Sequence, residues 1–221
     1  VEEPHRWPDP DLAGLRRSYE RGALSEEAVA PDPLDQFRRW LHDALIFGVP
    51  EPNAMVLATA SASAVPSART VLLKGVTADG FAFFTNYESG KASDLSSNPQ
   101  AALVFPWHAM ERQVRVTGSV LQLSEEESLA YFRTRPRDSQ LSAWASPQST
   151  VVSGRRELDA SYASIESRFP EGSDVPLPPF WGGYRVRPAA VEFWQGRHGR
   201  LHDRLRYRLE SGEWMIERLA P

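Results

Sequence analysis

The sequence predicts an α+β protein: an antiparallel β-barrel with peripheral helices. Three observations predict it. Short runs rich in Val, Leu and Phe recur along the chain, about nine in all. Short turn-forming links such as "SASAVPS" and "TADG" join several of them, which suits antiparallel hairpins. Helical patterns are inserted among these strands, which suggests peripheral helices around the barrel.

The elements follow in order. The first thirty residues are polar and carry Pro4, Pro8 and Pro10 ahead of a short helical pattern, "DLAGLRRSYERG". Residues 1–30 read as a mobile arm, since chain termini stay poorly ordered unless something ties them down, and residues 31–221 as one domain. "DPLDQFRRWLHDALIFG" predicts a helix in which Asp32 caps, Pro33 suits the first turn and Gly48 terminates. Leu34, Phe37, Leu41, Ala44 and Leu45 form its apolar stripe. Strands are then expected at "AMVLATA", "ARTVLLKGV", "GFAFFTNY", "AALVFPW" and "RQVRVTGSVLQL", with a short helix from Ser89 in "SGKASDLSSNP".

A helical middle opens at Ser124, where "SEEE" has the form of a capping box with Glu127. A second helix is expected over "SGRRELDASYASIESRF", starting at its serine, and "PEGSDVPLPP" reads as a loop. The end returns to strands: "WGGYRVRP", "AVEFWQG", "RLHDRLRYRLE" and "EWMIERLAP".

Composition bounds the function. The 221 residues can bury a substantial core, and 41% hydrophobic with 24% charged residues is ordinary globular usage. A net charge of −4 and a pI near 5.8 argue against a general nucleic-acid binder. Cysteine is absent, which removes disulfides, thiolate nucleophiles and Cys-ligated metals. No apolar run approaches a membrane span and no signal-peptide core is present, so a cytoplasmic location without membrane partners is expected.

Against that acidic total, "WQGRHGRLHDRLRY" at 194–207 packs four arginines and two histidines into one stretch. Three readings stand: a solvated strand face, a nucleic-acid contact, or a site for a small anion. In a strand, alternate residues share a face about 6.7 Å apart. Arg200, His202, Arg204 and Arg206 then fall on one face, and Leu201, Leu205 and Tyr207 on the other, with Asp203 the exception. His198 and His202 lack the glutamate of the zincin pattern, so no metal site is expected. Two further clusters repeat the theme. Arg69 and Lys74 mark the ends of "RTVLLK", while "YFRTRPRDSQ" gathers Tyr131, Arg133, Arg135, Arg137 and Ser139 in what reads as a loop. Guanidinium forks beside hydroxyls suit a phosphate. Gln113, Gln148 and Ser149 add neutral groups able to read a heteroaromatic edge.

"RTVLLK", "FFTNYESGKASDL", "FPWHAMERQVRVTG", "YFRTRPRDSQLSAWASPQS", "FWGGYRV", "EFWQGRHGRLHDRLRY" and "WMIERLAP" together resemble, in sequence and order, the pyridoxamine 5′-phosphate oxidase family. The resemblance runs from about Leu15 to Pro221. It implies an antiparallel split β-barrel with peripheral helices, working as a homodimer with FMN at the subunit interface. By motif, Arg69, Thr70, Val71, Leu72, Leu73, Lys74, Phe84, Thr85, Lys91, Gln113, Gln148, Ser149, Trp194 and Arg204 would hold FMN. Lys74, Tyr131, Arg135 and Ser139 would grip the substrate phosphate. Arg200 and His202 would be the catalytic pair over the substrate ring, with Leu201 between them. Arg16, Arg17, Ser18 and Tyr19 would close the site as a lid.

The implied reaction oxidises pyridoxamine or pyridoxine 5′-phosphate to pyridoxal 5′-phosphate. A hydride equivalent passes to the flavin, and O2 is reduced to H2O2. One departure stands out: where the family usually has an arginine before the lysine of "SGK", this chain has Gly90. Two alternatives remain on the residues alone: a phenazine-biosynthesis-like flavin oxidase of the same fold, and a non-catalytic carrier of flavin or pyridoxal phosphate.

Overall fold

A computed structural model describes Gly14 and residues 18–221. Arg16 and Arg17 of the expected lid lie outside the described residues. Within them, residues 18–22 are not helical, so the helical pattern that starts at Asp11 does not extend through this part.

Helix α1 (Pro33–Phe47) forms as its end signals dictate. Asp32 accepts from the amides of Leu34 and Asp35 at 2.7 and 3.1 Å, and Gly48 closes the helix at φ 80°. Its buried face is Leu34, Phe37, Trp40 and Ala44. Leu45 is 60% exposed, contrary to the expected stripe. Trp40 takes the place in the core, where its ring also carries the Arg112 guanidinium at 4.5 Å.

The strands are β1 (Ala54–Ala60), β2 (Pro66–Leu72), β3 (Gly75–Thr77), β4 (Gly80–Asn86), β5 (Gln100–Trp107), β6 (Arg112–Gln122), β7 (Trp181–Gln195), β8 (Asp203–Glu210) and β9 (Glu213–Arg218). All pair antiparallel in the order β2-β1-β5-β6-β7-β4-β3, with β8 and β9 extending from β7. Strands β2 and β4 approach each other without sharing a ladder, which leaves the barrel split. "ARTVLLKGV" divides into β2 and β3 around Leu73 and Lys74. The two runs expected over 181–196 join into one long β7, and a bulge at Thr117/Gly118 absorbs the bend in its partner β6. Phe37, Phe81, Phe105 and Phe193 fill the barrel.

The helices around it are α2 (Gly90–Ser97), α3 (Glu125–Thr134), α4 (Arg137–Ala145) and α5 (Arg155–Arg168). The capping box of Ser124 and Glu127 forms as expected. Helix α5 starts at Arg155, two residues after the expected serine, with Gly154 at the cap. Ser153 binds the Glu157 carboxylate instead. Helix α4 corrects the loop expected at "PRDSQ": Arg137 opens it and donates to the carbonyls of Phe169, Pro170 and Ser173, which ties the helix to the following loop. A second, smaller core of Phe132, Leu141, Val175 and Trp181 seats α3 and α4 against the start of β7.

Candidate active site

The first cluster surrounds a cavity of about 780 Å³. Arg69, Thr70, Val71, Leu72 and Lys74 reach it from edge strand β2 and its end, Phe84, Thr85 and Asn86 from β4, and Lys91 from α2. Tyr131 and Arg135 come from α3 and its end, Ser139 from α4, and Gln148 from the loop that follows. Most of the residues singled out in three separate motifs therefore meet in one place. Leu73 is the exception: its side chain is 5% exposed and belongs to the barrel core. Ser149 stands at the margin, in the left-handed region at φ 73°.

Lys91 sits at the floor. It is 8% exposed and donates to Thr85 Oγ1 at 3.0 Å, Ser89 Oγ at 3.1 Å and Gln148 Oε1 at 2.9 Å. All three acceptors are neutral, and among the described residues no carboxylate pairs with it. Burial, with Arg69 nearby, pulls its pKa down from 10.5 to about 8.

Arg69 is held more firmly. It donates to Leu57 O, Thr59 Oγ1 and Ser67 Oγ, at 3.3, 2.7 and 2.6 Å. Asp94 of α2 gathers the same two hydroxyls at 2.6 and 2.8 Å, and these bonds hold its pKa below the usual range.

On the opposite wall, Arg135 lies against the Trp181 ring at 4.6 Å, and its Nη1 is buried without a hydrogen-bond partner. Burial depresses its pKa as well. Tyr131, Phe84 and Trp181 stack beside it in near-parallel planes, Tyr131 on Phe84 at 3.9 Å. A buried guanidinium nitrogen without a partner and a buried ammonium with only neutral acceptors are both costly. An anion supplies what each lacks. Of the neighbouring arginines, Arg137 is structural as described, and Arg133 is exposed.

The second cluster lies at the other end of β7. Gln113 of β6, Trp194 of β7 and Arg204 of β8 stand side by side in register. Tyr19 packs edge-on to Trp194 and His202, at 5.7 and 5.6 Å. The expected row of cations along one strand face does not form. Strand β8 begins only at Asp203, after a turn in which Gly199 and Arg200 are left-handed at φ 66° and 63°. Arg200 is exposed, with Leu201 beside it. His202 Nδ1 accepts from the Arg197 amide at 3.0 Å. Arg204 does share a face with Arg206, but each is met by a carboxylate: Arg204 by Glu192 at 2.8 Å, Arg206 by Glu217 at 2.6 Å. The structure thus gathers the singled-out residues into two groups and does not join the groups within one chain.

Several contributors escape a reading by motif. Asn86 lines the first cavity with its Nδ2 buried and unpaired. Asp94 and Glu192 organise arginines, and Glu192 is detectable as the one charged residue in the apolar run "AVEFW". Among the described residues, no group of three or more His, Asp or Glu side chains could hold a metal ion. No described helix is long and apolar enough to cross a membrane.

Comparison with known proteins adds an independent line. Residues 41–169 match the family model described as pyridoxamine 5′-phosphate oxidase. Residues 181–221 match one described as the pyridoxine 5′-phosphate oxidase C-terminal dimerisation region. A pyridoxine/pyridoxamine 5′-phosphate oxidase of Rubrobacter xylanophilus is 58% identical over 211 residues, spanning 96% of this chain and 97% of the relative. One from Streptomyces avermitilis is 53% identical over 221 residues, spanning 98% and 99%. Among solved structures, PhzG from Burkholderia lata in complex with tetrahydrophenazine-1-carboxylic acid superposes with a TM-score of 0.84 at 30% identity, over 88% of this chain and 95% of that one. An FMN-binding protein of Nostoc punctiforme, described as related to pyridoxamine 5′-phosphate oxidase, shares the fold with a TM-score of 0.68 at 19% identity. On the match of both family models and these full-length relatives, the chain belongs to the pyridoxamine 5′-phosphate oxidase family.

Proposed function

We propose that this protein catalyses the FMN-dependent oxidation of pyridoxamine 5′-phosphate and pyridoxine 5′-phosphate to pyridoxal 5′-phosphate, with O2 reduced to H2O2, in the cytoplasm. The observation that carries the reading is the pair of cations without a carboxylate partner, the buried Lys91 and the half-buried Arg135, on two walls of one cavity. A site for a single phosphate needs one such grip; two grips fit a cofactor phosphate and a substrate phosphate.

The residues present fit FMN. Lys91, Thr85, Gln148 and Ser149, with Arg69 behind them, form a polar end suited to its phosphate. Bound there, FMN would supply the two-electron chemistry that the side chains lack. The chain's own work is binding and orientation. Arg135, with Lys74, Tyr131 and Ser139, would anchor the substrate phosphate. The stacked Tyr131, Phe84 and Trp181 form an apolar wall beside it. Arg200 and His202 would orient the substrate ring and stabilise charge as it develops.

The separation of the two clusters supports a homodimer with composite sites. The cavity of one protomer would be completed by the Gln113–Trp194–Arg204 group, with Arg200, Leu201 and His202, of its partner. The match of 181–221 to a dimerisation region favours this arrangement.

The likeness to PhzG favours a second reading, an oxidase acting on an unphosphorylated tricyclic acid. Two separate cationic grips, at Lys91 and at Arg135, weigh against it: an acid without phosphate would occupy one of them beside FMN and leave no second phosphate to place. An aerobic assay with added FMN, comparing pyridoxamine with and without its phosphate, tests the choice. Oxidation confined to the phosphorylated substrate supports the proposal; equal oxidation of both, or none, overturns it.

A further inference from the structure

The turn between β5 and β6 carries a buried carboxylate for which none of the proposed binding roles has a use. Glu111 is 5% exposed and lies in the left-handed region at φ 57°. That conformation is uncommon for a residue with a side chain, and it follows a single 3₁₀ turn, His108–Met110. Its Oε2 accepts from two consecutive backbone amides, Glu20 at 2.9 Å and Arg21 at 3.0 Å, both far away in sequence. Its carbonyl accepts from Gly196 N at 2.7 Å and from Gln195 Nε2 at 3.2 Å. One residue thus ties together the β5–β6 turn, the end of β7 and the N-terminal segment.

What these bonds position is Tyr19. Its ring stands edge-on to both Trp194 and His202. It also covers Gly196 so closely that an added Cβ would lie 2.7 Å from Tyr19 Cγ. Side-chain contacts on either side are weaker: Ser18 Oγ meets His198 Nδ1 at 3.1 Å, and Arg197 reaches Gly22 O at 3.3 Å, both exposed. A carboxylate accepting paired amides in a nearly dry setting is the stronger restraint.

We infer that Glu111 is a positioning residue: it anchors the N-terminal segment and so holds the Tyr19 ring against His202 and Trp194, as part of the wall of the reaction site. The inference rests on the placement of His202 and Trp194 in that site proposed above. The carboxylate acts chiefly through the two backbone amides, with the half-exposed Arg21 Nε a longer contact at 4.0 Å from Oε1, and it is given no contact with a reactant.

The test uses two variants of the full chain. Glu111→Asn retains a residue type that tolerates the left-handed region but is too short to reach the two amides. Glu111→Gln keeps the reach and one acceptor oxygen. Hydrogen exchange on the protein with FMN added should show the Glu20 and Arg21 amides exchanging on the order of tenfold faster in Glu111→Asn. Glu111→Gln should fall in between, and Val114 and Val116 should be unchanged. The KM for pyridoxamine 5′-phosphate should rise in the same order while FMN affinity stays level. Unchanged exchange at Glu20 and Arg21 overturns the anchor. Faster exchange with an unchanged KM overturns the role in the site. Should Val114 and Val116 also quicken, Tyr19→Ala decides: with the turn intact it must reproduce the KM rise, and failure to do so refutes the inference. Absence of any oxidation refutes the proposed reaction, while the exchange arm still tests Glu111.

Discussion

Arg204 Nε donates to Glu192 Oε1 at 2.8 Å across the β7–β8 ladder, and Arg204 Nη1 donates to the carbonyl of Ala220 at 2.8 Å. The cation most prominent in the sequence is therefore already neutralised and fixed by its own chain. Arg115 shares the same carboxylate at 3.3 Å. Cations that are at least half-buried and have no carboxylate partner lie elsewhere, at Lys91 and Arg135, within a cavity that the basic stretch does not reach. A pinned guanidinium offers a preset fork, whereas an orphaned one awaits an anion.

That difference separates two arginines of the same stretch. Among the described residues the Arg200 guanidinium has no hydrogen-bond or ion-pair partner, so its proposed partner is substrate. Arg200→Ala should lower turnover by about a hundredfold and leave flavin content near that of the parent protein. Arg204→Ala should instead weaken flavin retention by about tenfold, and Glu192→Gln should do so by less. Absorbance of the purified variants and steady-state rates check both. Equal flavin loss in Arg200→Ala and Arg204→Ala contradicts this division.

Arg135 supplies the sharper test of substrate class. Its alanine variant removes a charge-assisted bond worth about 1.5–3 kcal/mol, which corresponds to a ten- to hundredfold loss of apparent affinity for pyridoxamine 5′-phosphate. Any residual turnover of pyridoxamine itself should barely change. Parallel loss for both compounds, measured as kcat/KM, would remove Arg135 from the phosphate site.

How far the residues alone carried the fold can be judged at particular positions. The helix α1 caps, the capping box at Ser124 and the strand runs were legible because each rests on local chemistry that acts within a few residues. The basic stretch misled because parity holds only inside a strand. Gly199 and Arg200 adopt left-handed backbone and postpone β8 to Asp203, which removes Arg200 and His202 from the shared face. Leu45 misled because periodicity marks a face without saying where along the helix the core ends. Asp94 and Glu111 were invisible, since each acts on residues brought near only by the fold. The motif residues themselves came together in two groups; strand parity and helical periodicity act within one chain and say nothing of a second copy, so the expectation of a dimer came from the family resemblance alone.

Lys91 makes binding of a phosphate depend on pH. In the ligand-free protein burial holds its pKa at about 8, against 10.5 ordinarily. Folding thus disfavours the charged form, and that burden lifts as pH rises through 8 toward 10.5. A bound dianion reverses the preference, raises the pKa and draws a proton onto Lys91. FMN affinity should therefore be level below pH 8 and fall by up to about tenfold per unit above it. Lys91→Arg, which stays charged, should flatten the profile. Titration of the apoprotein from pH 7 to 10 reads this; a level profile in the parent protein would show that Lys91 does not contact the phosphate.

Gly90, finally, stands where the family resemblance leads one to expect an arginine. It is the first residue of α2 and immediately precedes Lys91. An added Cβ would meet only Ser149, at 3.8 Å from Oγ and 3.9 Å from Cβ, which is ordinary contact, and the backbone there is not left-handed. Nothing in the local geometry therefore requires glycine. Gly90→Arg would add a fork beside a lone ammonium, able to bind phosphate bidentately. Two effects oppose it in the free protein. A cation at a helix N-terminus costs about 0.3–1 kcal/mol, and a second guanidinium near Lys91 and Arg69 adds like-charge repulsion. Both are relieved when a phosphate binds. The variant should melt slightly lower without ligand, yet bind FMN more tightly by about 1–2 kcal/mol, or about five- to thirtyfold. Fluorescence titration of the apoprotein decides. An unchanged or larger dissociation constant would mean that the Gly90 backbone or Arg69 already fills the place of the missing fork.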